Sequence, residues 1–363
     1  MKFSVKMKFI VIVVICASLV SGLEINDDCI TPYNKPGKCI LARNCNYTIE
    51  IVRKGNDATY EDSIYLENSK CGYQPGPARK PLTCCPALLN PKECGVADGP
   101  NGILTKSIKI PDEHPWVALL IYDTNGNNSL VPKCGGSLLN SRYVLTAAHC
   151  IVDIPKRWKL QYVRFSEWNP ISKENCTMVD ENEEICRQEY TVEKIIVHPQ
   201  YSKTVKTKVH DITLLKLEKD VEFSKYVKPI CLPFDKNIRN LPIDDEDFTV
   251  TVWGLNEPLV RKGNQRLVDL VGQSLDECNE KISIANITLA ETQMCVGGQK
   301  GKDSCKGDLG GPLMRQVGIV WYQVGVVSFG HKYCGTEGFP GIYTNVAKYL
   351  KWIEYEVNKS HTV

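Results

Sequence analysis

The sequence predicts an all-β fold preceded by a small disulfide-rich domain. From Ile103 onward, short β-branched and aromatic runs alternate with turns rich in Gly, Pro and Asn, which is typical of a β-barrel or sandwich. Upstream, six cysteines lie within residues 29–85, a block too short to be stabilised by an apolar core alone. Residues 86–102, rich in Pro, Gly and Asn, are predicted to link the two domains.

The first 22 residues predict a secretory signal peptide. Lys2, Lys6 and Lys8 precede the apolar run Phe9–Val20, which is followed by small residues up to Gly22. A membrane anchor is the alternative, but the run is shorter than the roughly 20 residues that a span needs. We therefore expect cleavage near Gly22 (residues 1–22 removed) and an extracellular protein without a membrane segment.

The cysteine content and the net charge indicate the class of protein and exclude some kinds of partner. Of the 17 cysteines, Cys16 lies in the leader, and the even number that remains predicts a disulfide framework in a secreted protein. A zinc site is disfavoured because the six histidines show no paired spacing with Cys-x-x-Cys. A net charge of +2 gives no reason to expect nucleic acid or an anionic membrane as a partner. Sequons that predict exposed, glycosylated loops begin at Asn46, Asn127, Asn175, Asn286 and Asn358.

The cysteines of the first domain have a distinctive spacing, with a Cys29-Ile-Thr-Pro start and a Cys84-Cys85 doublet. In these features residues 29–85 resemble the clip domain that precedes the protease domain in arthropod cascade enzymes. Spacing alone leaves the connectivity of six cysteines open. The resemblance implies the pairs Cys29–Cys84, Cys39–Cys71 and Cys45–Cys85.

Three motifs follow one another in the second domain. Thr-Ala-Ala-His149-Cys is followed by Asp211-Ile-Thr-Leu-Leu and then by Gly-Asp-Leu309-Gly-Gly-Pro. They resemble the histidine, aspartate and serine motifs of chymotrypsin-like serine proteases, which implies a double β-barrel over residues 103–357 with a C-terminal helix. Helical spacing of four apolar residues fits that closing helix: Val346, Leu350, Ile353 and Val357.

The resemblance implies a catalytic site without its nucleophile. His149 would be the base and Asp211 the carboxylate that orients it, but Leu309 stands where the family has serine. The backbone N–H groups of Gly307 and Leu309 would still form an oxyanion hole, because that hole does not depend on the side chain at 309. We therefore expect no peptide hydrolysis.

A trypsin-like specificity pocket follows from the same resemblance. Asp303 lies where the family keeps the carboxylate that receives an Arg or Lys side chain. Ser328, Gly330 and Gly341 would belong to the pocket walls, and Phe329 replaces the usual tryptophan.

The junction at which such zymogens are activated is also altered. Ile103 stands at the family's distance before Trp116, but Gly102 precedes it in place of a basic residue. A trypsin-like activator does not cleave after glycine. Lys109 is a poor substitute site because Pro111 follows closely. Two independent losses thus predict a noncatalytic protein.

Five further disulfides are implied for the linker and barrels: Cys94–Cys231, Cys134–Cys150, Cys176–Cys186, Cys278–Cys295 and Cys305–Cys334. The third of these closes an acidic loop, residues 167–189, in which related proteases sometimes bind calcium. A solvated acidic loop is the alternative, so calcium is the only cofactor that the sequence raises and no other is expected.

The sequence therefore predicts a secreted clip-domain serine protease homologue that acts by binding. Its expected partners are an active protease or a prophenoloxidase of a melanisation or Toll cascade, or a microbial-surface complex, whose components it would bring together. Two alternatives remain at this point. In the first alternative, the chain is an active trypsin-like endopeptidase. In the second, it is a decoy that holds Arg- or Lys-bearing peptides or inhibitors in the Asp303 pocket.

Overall fold

A computed structural model divides the chain into two compact units, residues 1–87 and residues 88–363. It describes residues 23–32, 36–75, 79–86, 91, 94–97, 114–126, 129–167, 174–180, 183–252, 265–282, 287–300, 308–331 and 335–359. The predicted signal peptide, residues 1–22, lies outside this set. Within the described ranges, no helix has the length and apolar character to cross a membrane.

The first unit is an antiparallel sheet with two short helices. Its elements are β1 (Asp28–Ile30), β2 (Pro36–Leu41), α1 (Asn46–Arg53), α2 (Tyr60–Asn68), β3 (Lys70–Gln74) and β4 (Lys80–Pro86). The strand order is β1-β2-β4-β3. The three disulfides of this unit join the pairs that the clip resemblance implied: Cys29–Cys84, Cys39–Cys71 and Cys45–Cys85.

Local sequence explains where α2 begins. The Thr59 hydroxyl accepts a hydrogen bond from the Asp62 N–H, and the Asp62 carboxylate accepts one from the Thr59 N–H. This reciprocal capping box satisfies backbone donors of the first turn. Burial raises the pKa of the Asp62 carboxyl, but hydrogen bonds from Lys54 and Thr59 outweigh burial and hold that pKa below its ordinary value.

The second unit begins with a seven-stranded antiparallel sheet. Its strands are β5 (Val117–Asp123), β6 (Leu130–Asn140), β7 (Tyr143–Thr146), β8 (Lys159–Phe165), β11 (Gln188–Tyr190), β12 (Val192–Val197) and β13 (Thr213–Leu217). The order is β11-β8-β5-β6-β7-β13-β12. A separate hairpin, β9 (Cys176–Asp180) and β10 (Glu183–Cys186), interrupts the sequence of strands.

A closed barrel of six strands follows. The strands are β14 (Asp247–Val252), β15 (Arg266–Gln273), β16 (Gln293–Val296), β17 (Pro312–Val317), β18 (Val320–Phe329) and β19 (Gly341–Asn345). Their order around the barrel is β14-β15-β16-β19-β18-β17. Phe248, Val250 and Leu313 are among the buried residues of its core.

Helices of the second unit are short: α3 (His149–Val152), α4 (Lys236–Arg239), α5 (Leu275–Ile282) and α6 (Leu350–Lys359). The closing helix begins at Leu350 and not at Val346, because Val346–Lys348 form a 3-10 turn. The Asn345 side chain caps this turn by accepting a hydrogen bond from the Ala347 N–H. Leu350 and Ile353 pack into the core of the seven-stranded sheet. The predicted all-β architecture with a C-terminal helix is confirmed.

Candidate functional site

Two paired strands bring His149 and Asp211 together. His149 follows closely on the end of β7, and Asp211 lies just before β13. Because β7 and β13 pair antiparallel, with Thr146 opposite Thr213, the end of one and the start of the other lie at the same edge of the sheet. His149 Nδ1 lies 2.7 Å from Asp211 Oδ2, and the His149 N–H donates to Asp211 Oδ1 at 2.8 Å.

The Asp211 carboxylate fixes the orientation of the imidazole. It is fully buried, and its Oδ2 also accepts a hydrogen bond from Ser328 Oγ at 2.5 Å. The Asp211 carbonyl is held as well, by the Thr344 hydroxyl at 2.9 Å. A carboxylate at Nδ1 keeps the ring proton on that nitrogen, so Nε2 of His149 is left as an acceptor. This half of the site has the geometry that proton abstraction requires.

Ser328 has a function that the sequence did not indicate. The sequence predicted it in a pocket wall, but its side chain is 1% exposed and its hydroxyl donates to Asp211. Its contribution is therefore to support the carboxylate. Of the other two predicted wall residues, Gly330 is exposed just after β18, and Gly341 is buried at the start of β19.

Leu309 lies in the turn Asp308–Gly310, close to His149. The Leu309 carbonyl accepts a hydrogen bond from the Gly135 N–H at 2.8 Å and lies 3.6 Å from Cys150 Sγ. His149 Nε2 lies 3.7 Å from the same sulfur. The Leu309 side chain is partly buried and packs against the apolar cores of both the sheet and the barrel. Hydrocarbon offers no lone pair for attack, so position 309 supplies packing and no nucleophile.

Glycine at 310 is required by space as well as by conformation. Its φ of +83° lies in the left-handed region, and a Cβ there would come within 2.4 Å of Thr146 Oγ1 and 2.7 Å of the Gly135 carbonyl. The Gly310 N–H donates to the Val327 carbonyl at 2.8 Å. The turn is thus fixed by contacts to both halves of the second unit, whatever side chain stands at 309.

Several predicted site residues lie outside the described residues. These are Gly307, the second oxyanion donor; Asp303, the base of the specificity pocket; the Cys305–Cys334 pair; and the junction Gly102–Ile103. Asp308 is described and is 1% exposed.

The remaining four described disulfides join the expected cysteines: Cys94–Cys231, Cys134–Cys150, Cys176–Cys186 and Cys278–Cys295. Cys134–Cys150 ties β6 to α3, immediately beside His149. Cys94–Cys231 links the segment before β5 to the loop between β13 and β14.

The acidic loop does not offer calcium a free carboxylate at its base. Glu167 has a side chain that is 2% exposed, and its Oε2 bonds Arg164 at 2.8 Å and Arg187 at 3.0 Å. Its Oε1 accepts a further bond from Arg187 at 3.1 Å. Two guanidinium groups therefore occupy the carboxylate oxygens and neutralise the negative charge that a bound cation would need. Calcium does not fit at Glu167.

The sequons differ in exposure. Asn175 is exposed, whereas Asn127 and Asn286 lie outside the described residues and Asn46 is the first residue of α1. Asn358 is 7% exposed in α6, and its Nδ2, the atom that a glycan would modify, is buried without a hydrogen-bond partner among the described residues. The burial of this acceptor atom by the closing helix argues against a glycan at Asn358 in the folded protein.

A histidine pair lies next to Asp211 in the sheet. The rings of His198 and His210 stack with centroids 4.9 Å apart, and His210 Nδ1 lies 2.9 Å from the Tyr349 hydroxyl. Burial lowers the pKa of His198 to about 4, with a smaller contribution from His210, and burial also lowers the pKa of His210. Sequence reasoning passed over both residues, although His210 directly precedes Asp211.

Comparison with known proteins decides the family. Residues 29–85 match the family described as the regulatory CLIP domain of proteinases, and residues 106–353 match the Trypsin family. The chain belongs to the clip-domain serine proteases. It is 47% identical to CLIP domain-containing serine protease B15 of Anopheles gambiae over 93% of each chain. It is 33% identical to phenoloxidase-activating factor 1 of Holotrichia diomphalia, over 90% of this chain and 92% of that protein.

A solved clip-domain protease has the same fold. The crystal structure of the Drosophila Grass clip serine protease of the Toll pathway superposes with a TM-score of 0.63 at 28% identity. The match covers 92% of this chain and 98% of the Grass chain. The predicted chymotrypsin-like double barrel behind a clip domain is thereby confirmed.

Proposed function

We propose that this clip-domain chain is a secreted, noncatalytic cofactor or regulator of an extracellular immune protease cascade. The observation that carries the proposal is Leu309, which lies beside an intact His149–Asp211 pair and supplies no nucleophile. In a comparable serine protease, loss of the serine costs roughly a million-fold in turnover. The remaining contacts can bind a peptide but cannot form an acyl-enzyme.

The cascade assignment is supported by the relatives. Clip-domain serine proteases take part in insect immune cascades, and relatives of this chain include melanization protease 1 of Drosophila melanogaster and phenoloxidase-activating factor 1 of Holotrichia diomphalia. A noncatalytic member would act by binding an active protease, a prophenoloxidase or a microbial-surface complex and so raising the local concentration of these components. Export through removal of residues 1–22 and a glycan at Asn175 belong to the same proposal.

An active endopeptidase is the second candidate, because Ser328 still supports the Asp211 carboxylate that such an enzyme would use. A folding requirement explains this support equally well, because a buried carboxylate without donors is costly. The catalytic candidate needs a nucleophile that position 309 does not supply.

Add-back to haemolymph depleted of this protein tests the proposal. We expect wild-type protein and His149→Ala to change protease and phenoloxidase activity to the same extent, since neither acts by hydrolysis. An effect of the wild type that His149→Ala abolishes would contradict the noncatalytic function. No effect from either protein would contradict the cofactor function.

A further inference from the structure

Two loops beside His149 carry basic residues. The first, residues 153–159, follows α3 and exposes Lys156 and Arg157. The second, residues 201–208, precedes Asp211 and exposes Lys203 and Lys206. Lys133 joins the first loop, because its Nζ lies 4.5 Å from the ring centroid of Trp158. We call these five residues, Lys133, Lys156, Arg157, Lys203 and Lys206, the basic rim.

Asp153 fastens the two loops together. Its Oδ2 accepts hydrogen bonds from Lys208 Nζ at 2.7 Å and from the Tyr201 hydroxyl at 2.8 Å, and its N–H donates to the His149 carbonyl at 3.1 Å. Burial raises the pKa of the Asp153 carboxyl, but the bonds from Lys208 and Tyr201 outweigh burial and keep that pKa low. The loops therefore form one surface that is anchored on the helix beginning at His149.

The charge of this surface is uncompensated. Asp153 is neutralised by Lys208, and none of the five rim cations has an ion-pair partner within the ranges that the structure describes. Lys159, by contrast, lies opposite Asp123 on the neighbouring strand and is not counted. The chain's net charge of +2 hides this local concentration. Like charges on one surface attract an oppositely charged partner and accelerate its association.

Apolar residues on the same loops favour protein over polysaccharide as the partner. Val205, between Lys203 and Lys206, is 44% exposed, and Val152, next to Asp153, is 37% exposed. A sulfated sugar gains nothing from these side chains, whereas a peptide with leucine or valine between its carboxylates buries them.

We propose that the basic rim docks an acidic segment with interspersed apolar residues on a protein partner, beside His149. This inference rests on the proposed binding function, since it names the chemistry of the partner that a noncatalytic chain would hold. The bound partner is then held beside His149 and is not hydrolysed there.

Binding of a defined probe tests the inference on the full chain. The probe is a short fluorescein-labelled peptide of alternating glutamate and leucine, with a glutamine–leucine peptide and heparin for comparison. We expect salt-sensitive binding of the acidic peptide and about tenfold or greater weakening by Lys203→Glu with Lys206→Glu, or by Lys156→Glu with Arg157→Glu. Val205→Ser should weaken it severalfold.

Exposed lysines elsewhere on the same unit provide the matched control. Lys219→Glu with Lys236→Glu introduces the same charge change and should leave binding unaltered. The proposal would be overturned if this control weakened binding equally, or if the acidic peptide did not bind. It would also be overturned if heparin bound, with an affinity that falls in the rim variants and is unchanged in Val205→Ser. Amide hydrolysis by the chain would overturn the noncatalytic function and leave the peptide result standing, so the two failures are distinguishable.

Discussion

The two sides of the candidate site are alike in their backbone and opposite in their chemistry. On one side, the Asp211 carboxylate is hydrogen-bonded to both His149 and Ser328. On the other, the turn Asp308–Gly310 is held just as firmly, through Gly135 and Val327, but carries leucine at its centre. The first side retains its functional side chains, and the second retains only the backbone conformation of the turn.

This difference shows what keeps a motif in place. Gly310 has no room for a Cβ, and Asp211 is a buried carboxylate that needs its donors, so folding alone accounts for both. Position 309 has no such constraint, and a leucine there gains contact with two apolar cores. The surrounding motif is therefore evidence for the fold, and only the residue at 309 shows whether a nucleophile is present.

Restoring the nucleophile should have the largest effect. Leu309→Ser combined with Gly102→Arg, after cleavage by trypsin, should raise hydrolysis of an Arg-terminated amide by roughly a thousandfold or more, because base and carboxylate are already placed. Leu309→Ser alone should raise it far less, since the junction stays uncut. No gain in the combined variant would mean that the rest of the site is also lost.

The shape of the turn can be broken separately. Gly310→Ala should lower the free energy of unfolding by about 3 kcal/mol, because the new Cβ meets Thr146 and Gly135 at a positive φ. Gly318→Ala is the matched control, with a φ of +63° and nothing within 4 Å of its Cβ, and should cost about 1 kcal/mol. Equal losses in denaturant unfolding would contradict the steric account.

The histidine pair next to Asp211 should make stability depend on pH. With a folded pKa of about 4, His198 binds fewer protons than it does in the unfolded chain, so its contribution is present near neutral pH and is lost as pH falls from about 6.5 toward 4. His198→Gln should remove about 2 kcal/mol of that dependence at pH near 4.5. His331→Gln makes the same substitution at an exposed histidine and is the matched control.

The smallest effect concerns calcium. Because Arg164 and Arg187 already satisfy Glu167, neither calcium nor a chelator should shift the thermal unfolding midpoint. A calcium-dependent rise in that midpoint, lost in Glu167→Gln, would show that the guanidinium groups yield to the ion.

Sequence reasoning reached the parts of the fold that short motifs and spacing encode. Seven of the eight cysteine pairs that the clip and protease resemblance implied are present among the described residues, and Cys305–Cys334 lies outside them. His149 and Asp211 meet as their sequence motifs indicated. The closing helix was placed one turn too early, because apolar spacing does not distinguish a 3-10 turn from the helix that follows it.

Contacts between distant segments could not be read from the sequence. The hydrogen bond from Ser328 to Asp211 and the capture of Glu167 by two arginines depend on how separate strands come together. The burial of Asn358 likewise follows from the docking of α6 and not from its sequon. Sequence patterns identify such residues as candidates, but only the packing decides which group each one meets.

Labelling of the full chain tests the central claim most directly. The protein, before and after proteolytic processing, is incubated with an active-site phosphonate and an Arg-terminated amide substrate, alongside His149→Ala. We predict neither covalent labelling nor turnover above the level of the His149→Ala variant, because position 309 supplies no nucleophile. Turnover or labelling that disappears in His149→Ala would contradict the account.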